Sequence, residues 1–213
     1  MKHPMPKSIQ IALLTFYLII LVSVSYSQCP QSHTTPIIAG NGNPGIMFDV
    51  EATNDIIITT IKCFISNNPH DIEIYYKQGT HAGYDNAPSA WTFAGSVSGL
   101  NINWSIPVEI PIQLNLPVLA GEAYAFYVTV TNNQHAWTLY TIGNDTFQDN
   151  NTIIRPGTGK GYPFGSYRHP RQFNGAVNYI ADCDSVLRIG QYLQEIEINE
   201  GWNMVSSYLR IRS

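Results

Sequence analysis

Positive charge is scarce in this chain. Lys and Arg number 11 against 15 Asp and Glu, a formal net charge of −4. No polybasic stretch breaks that balance, which argues against a nucleic-acid partner, because polyanion binding rests on clustered cations. The longest apolar run, Ile11 to Val24, falls short of the roughly 20 residues that span a bilayer. Local catalytic signatures are missing: no H-E-x-x-H, no C-x-x-C and no G-x-S-x-G occurs. Gly157-Thr158-Gly159-Lys160-Gly161 approaches a phosphate loop but lacks the Lys-Ser/Thr pair that opens a helix. Past residue 27 the histidines are His33, His70, His81, His135 and His169, scattered over expected loops with no local pair at zinc-ligand spacing. Almost no segment carries a helical period, and no internal repeat is evident.

What is present begins with a leader. Lys2, His3 and Lys7 precede the apolar run, and Ser25-Tyr26-Ser27 places small residues where a signal peptidase reads. Cleavage after Ser27 removes two cations and no acid, moving the formal net charge from −4 to −6. The expectation is export, with the working protein secreted or at the cell surface.

Strand patterns fill the rest. Ile106, Val108, Ile110, Ile112 and Leu114 alternate with polar residues or proline across 105–115, a period of two with one buried face. Pro107 and Pro111 fall on the other side and remove ladder donors, which predicts an edge strand or a bulge. Tyr124, Phe126, Val128 and Val130 share a face of 123–131; Ile72, Ile74 and Tyr76 do so in 71–77. Further strands are expected at 46–52, 55–66, 91–97, 136–142 and 172–180. Turn clusters lie at 40–45, 67–69, 95–99, 132–133, 143–145 and 157–165. Many short strands at this spacing predict an all-β fold, an antiparallel β-sandwich of jelly-roll type over residues 30–182. Residues 183–213 read as a linker and the truncated start of a following unit.

Three cysteines follow the leader. In an exported chain they tend to oxidise where geometry permits. Cys29 and Cys183 flank the domain, and domain ends often lie close together, so a Cys29–Cys183 disulfide is expected. Cys63 is in phase with Ile57, Ile61 and Ile65 and reads as a buried free thiol.

Four sequence segments, 40–55 (GNGNPGIMFDVEATND), 73–96 (EIYYKQGTHAGYDNAPSAWTFAGS), 119–130 (LAGEAYAFYVTV) and 157–179 (GTGKGYPFGSYRHPRQFNGAVNY), resemble a β-sandwich module of secreted multidomain proteins from Bacteroidetes-type bacteria. The resemblance covers about 37–180. Residues 198–209 (INEGWNMVSSYL) are similar to the opening of a separate unit that follows such modules. It implies an extracellular β-sandwich and leaves the activity open.

Two segments offer binding chemistry. Asp49, Glu51, Asn54 and Asp55 supply hard oxygen donors of the kind Ca²⁺ takes. The competing reading is a solvated strand face running into an Asx turn. Residues 160–171 gather Lys160, Tyr162, Phe164, Tyr167, Arg168 and Arg171, rings and cations suited to stacking on and hydrogen bonding a sugar. The competing reading there is a strand connection whose aromatics close one end of the sandwich while the arginines pair with acids. The expected function is a non-catalytic accessory or adhesion module for an extracellular glycan or cell-surface protein. It needs no nucleic acid, no membrane once the leader is cut, and no cofactor unless Ca²⁺. The alternative is an extracellular glycosidase-like hydrolase with two dispersed carboxylates, a pair no sequence feature nominates.

Overall fold

Alternating apolar side chains need a second layer to bury against, and two antiparallel sheets supply it. The computed structural model describes residues 28–36, 43–64, 68–102, 106–132 and 140–182. The sheets hold thirteen strands among these residues. In chain order they are β1 (Gln28–Thr34), β2 (Gly45–Ala52), β3 (Ile56–Cys63), β4 (Asn68–Gln78), β5 (Thr92–Ile102), β6 (Val108–Ile110) and β7 (Leu116–Val118). Then come β8 (Ala123–Val130), β9 (Tyr140–Ile142), β10 (Phe147–Gln148), β11 (Thr152–Lys160), β12 (Tyr167–Phe173) and β13 (Gly175–Asp182). The smaller sheet runs β1-β13-β3-β6, with β7 also on β3; the larger runs β5-β4-β8-β2-β11-β12-β9, with β10 on β11. Successive strands cross repeatedly between the sheets, as in a jelly-roll-like sandwich.

The core lies between them. Ile46, Phe48 and Val50 of β2, Phe126, Val128 and Val130 of β8, and Ile72 and Ile74 of β4 face Ile56, Ile58 and Ile61 of β3 and Val177 of β13. Phe48 stands opposite Phe126 in the β2–β8 register and stacks on Phe173, with centroids 3.9 Å apart. The alternation expected at 71–77 and 123–131 is the one observed.

A second apolar layer covers the far face of the larger sheet. Met47, Ala125 and Tyr127, one residue out of phase with the core set, are fully buried with Trp91 beneath Tyr75, Ala90 and Phe164. The connection after β4 and the turn after β11 fold onto that face. Trp91 Nε1 donates to the Tyr84 carbonyl at 3.0 Å. Lys77 Nζ donates to the carbonyls of Gln78 and Thr80, both at 2.8 Å, and sits over the Tyr84 ring.

Several expectations are corrected. The single strand over 105–115 is broken: β6 and β7 pair with opposite ends of β3, and the chain between them turns at Pro111. Proline cannot donate to the ladder, and Ile112 N–H closes a tight turn on the Ile110 carbonyl at 2.7 Å instead. Ile106 lies before β6 and is 60% exposed rather than buried. The strand expected over 172–180 is two, β12 and β13, in different sheets. Residues 157–160 are strand rather than turn, because β11 bulges against both neighbours there. A Cβ on Gly157 would lie 1.7 Å from the Met47 carbonyl oxygen, so the two backbones approach this closely only over glycine. β1 pairs with β13 from Gln28 opposite Asp182, at the two ends of the described residues.

Cys63 is the buried free thiol expected, and burial pushes its pKa up. Cys29 is not a free thiol. Its expected partner Cys183 lies outside the described residues, as do the expected leader at 1–27 and the rest of 183–213.

Candidate functional site

The segment 160–171 divides by role. Phe164, with φ of 51°, turns its ring into the second apolar layer, 4.8 Å from Tyr127 and 5.3 Å from Tyr75 between centroids. It is a plug. Tyr127 Oη donates to the Gly161 carbonyl at 2.9 Å, which pins the turn from below. Tyr162 is half-buried, and burial together with the neighbouring Glu73 charge raises its pKa. Lys160 is fully buried; Nζ donates to Asn86 Oδ1 at 2.7 Å and to the Gly165 carbonyl at 2.6 Å. Burial lowers its pKa, while the Asp85 charge acts against that. Arg168 is exposed, and Arg171 Nη1 donates to the Pro170 carbonyl at 2.7 Å. Tyr167 alone of the three rings stands open, 63% exposed.

Tyr167 borders a cleft of about 390 Å³ whose walls include His81, Asp85, Asn86, Thr158 and His169. Three segments meet here: the connection after β4, the bulged end of β11, and the start of β12. Beneath the cleft, buried Asp49 of β2 holds His81. Its Oδ1 lies 2.8 Å from His81 Nδ1 and accepts the His81 backbone N–H at 2.9 Å; Oδ2 accepts the Thr80 hydroxyl at 2.5 Å. Burial acts to raise the Asp49 pKa, but the His81 and Thr80 interactions outweigh it and hold the carboxyl below its usual range. An ionised Asp49 only accepts, so His81 Nδ1 carries the proton. His169 Nδ1 lies 3.1 Å from the Gly157 carbonyl and 3.3 Å from Thr158 Oγ1. A carbonyl also only accepts, so that Nδ1 is protonated too. In an imidazole held this way and not doubly protonated, the remaining nitrogen, Nε2, is a lone-pair acceptor. Asp85 adds an Oδ1 that is buried and has no hydrogen-bond partner among the described residues.

The proposed calcium donors are not brought together. Asp49 serves His81, and Glu51 pairs with Arg155. Asn54 Nδ2 donates to the Asn150 carbonyl and Asn151 Oδ1, and Asp55 Oδ1 accepts the Ala120 N–H at 2.8 Å. Among the described residues no three His, Cys, Asp or Glu side chains group as a metal site would need.

The sequence reading missed His81, Asp85 and His169. One signal was available: Asp49 is a carboxylate between Phe48 and Val50 on a strand, and a carboxylate placed there needs a partner. A second concavity, about 410 Å³, crosses the outer face of the smaller sheet beside Ser32, Thr60, Glu109 and Asn178. It presents no aromatic ring except Tyr179, whose hydroxyl is engaged with Asp149 and Gln31. No family model matches the chain, and no curated protein matches it.

Proposed function

We propose that this chain is an exported, non-catalytic β-sandwich module that holds an extracellular glycan in the cleft beside Tyr167. The observation that carries the reading is an open aromatic ring at the rim of a cleft otherwise walled by His81, Asp85, Asn86, Thr158 and His169. A sugar ring has an apolar face and a hydroxyl edge, which such a combination matches. The leader and the resemblance to modules of secreted multidomain proteins support an extracellular or cell-surface setting.

A glycan array probed with the mature protein, beside a hydrolysis assay on each hit, tests the reading. Binding without turnover, weakened about tenfold by Tyr167→Ala at unchanged melting temperature, is expected; stacking on one ring supplies energy of that order. No binding to any saccharide overturns it.

The Asp49–His81 pair keeps a second reading, a hydrolase, in play, since a carboxylate-oriented imidazole is half of an acid–base apparatus. Glycoside hydrolysis asks for two carboxylates across a cleft, and the walls here contribute one, Asp85. Turnover abolished by Asp85→Asn would favour the hydrolase.

A further inference from the structure

We infer that the cleft selects uncharged, hydroxyl-donating sugars and discriminates against acidic ones such as uronates; this rests on the glycan reading above and names its ligand class. The walls are set to accept hydrogen bonds. His81 Nδ1 is committed to Asp49 and His169 Nδ1 to the Gly157 carbonyl, so each ring offers only Nε2, as an acceptor. Asp85 adds a carboxylate to the same wall.

Among the described residues no Lys or Arg lines the cleft. Lys160 Nζ lies 5.9 Å from the Tyr167 ring centroid but is buried and committed to Asn86 Oδ1 and the Gly165 carbonyl. Lys77 Nζ is on the Gln78 and Thr80 carbonyls. The Lys160 bond uses the Asn86 oxygen and leaves its Nδ2 as a donor for a sugar oxygen. Arg171 Nη1 is on the Pro170 carbonyl. The carboxylate of a uronate, which replaces a hydroxymethyl donor, therefore meets the acceptors with acceptors and meets Asp85 as a like charge, whereas a neutral hexose offers a hydroxyl hydrogen there. Sites built around a ligand hydroxyl reject analogues that cannot donate.

The test is calorimetric titration of the mature protein at pH 8, where imidazole is ordinarily neutral. Oligosaccharides of neutral hexoses are compared with counterparts carrying uronates at matching positions. Neutral ligands should bind about tenfold or more tightly than their acidic counterparts, the scale of one charge-assisted hydrogen bond. Asp85→Asn should narrow that gap by weakening neutral and strengthening acidic ligands, and His169→Gln should weaken neutral ligands, with melting temperatures confirming that each variant folds. Equal or tighter uronate binding, or an unchanged gap in Asp85→Asn, overturns the inference while leaving glycan binding intact. Failure of every saccharide overturns both. A Zn²⁺ titration completes the test: displacement of bound sugar by micromolar Zn²⁺ would show that the acceptors serve a metal and overturn the assignment.

Discussion

His81 Nδ1 lies 2.8 Å from Asp49 Oδ1, joining the connection after β4 to the middle of β2 through two residues that are each 5% exposed. The same carboxylate accepts the His81 N–H and the Thr80 hydroxyl, so one acid organises a turn of chain around itself. The wall of the cleft is thus anchored on the sheet rather than on a free loop. His81→Ala should leave Asp49 buried with fewer donors and lower stability by about 1–3 kcal/mol, the range for stranding a buried polar group. Chemical denaturation of the variant checks this.

Acid should destabilise the domain in two stages. Burial lowers the His33 pKa from 6.5, although the Asp149 charge acts against it. Asp49 and Asp149 have pKa values below 3.8: burial opposes this, but their hydrogen bonds outweigh it. All three shifts are depressions, so their contributions are present above the unfolded-state pKa and are lost as pH falls toward the folded one. Melting temperature should be flat above neutrality, decline as pH drops below about 6.5, and fall again below about 4. Loss of the upper step in His33→Asn, measured by a pH series of thermal melts, assigns it to His33; an upper step that persists would refute the assignment.

Phe164 and Tyr167, three residues apart, should respond oppositely to truncation. Phe164→Ala removes a ring packed against Tyr75, Trp91 and Tyr127 and should lower stability by roughly 3 kcal/mol. Tyr167→Ala removes an exposed ring and should stay within about 0.5 kcal/mol of the parent. Paired denaturation curves decide it.

Lys160→Met should keep the buried chain volume and lose both donors. The Asn86 and Gly165 acceptors would then be unpaired, with an expected loss of about 1–3 kcal/mol. Hydrogen exchange should quicken at Gly161 and Gly165, whose N–H groups close the turn onto Ser166 and Gly161.

The cysteines make a chemical prediction. Non-reducing peptide mapping should join Cys29 to Cys183, and Cys63 should react with alkylating reagents only after unfolding. In the chain-entropy account a loop this long stabilises by roughly 4–5 kcal/mol, less any native strain. Recovery of Cys29 joined to Cys63 would refute the pairing.

Much of the sandwich was legible beforehand because period-two alternation is local information. Ile72, Ile74 and Tyr76, and Tyr124, Phe126, Val128 and Val130, needed only the pleat to choose their face. The pleat also misled. It assigned Ala125 and Tyr127 to an outer face, and that face is covered by a second layer contributed by residues far along the chain. The interruption at Pro111 was legible as a missing donor, but not that the strand halves would share one partner, β3.

The candidate site was legible in part for the same reason. Residues 160–171 were marked by composition, yet exposure, not composition, separates Tyr167 from Phe164. His81, Asp85 and His169 lack any sequence spacing that relates them. They meet because β2, β11 and β12 lie side by side and the connection after β4 folds over them.

From sequence alone, then, come the strand-rich character, the two-sided pattern of the core strands and the expectation of export, since each depends on residues close together in the chain. The tertiary structure decided which ring plugs and which ring faces solvent. It also decided that Asp49 supports a histidine rather than joining Glu51, Asn54 and Asp55 around a cation. Those choices turn on which buried charge finds a donor and which apolar surface finds cover, and both are set by strand neighbours that no local pattern encodes.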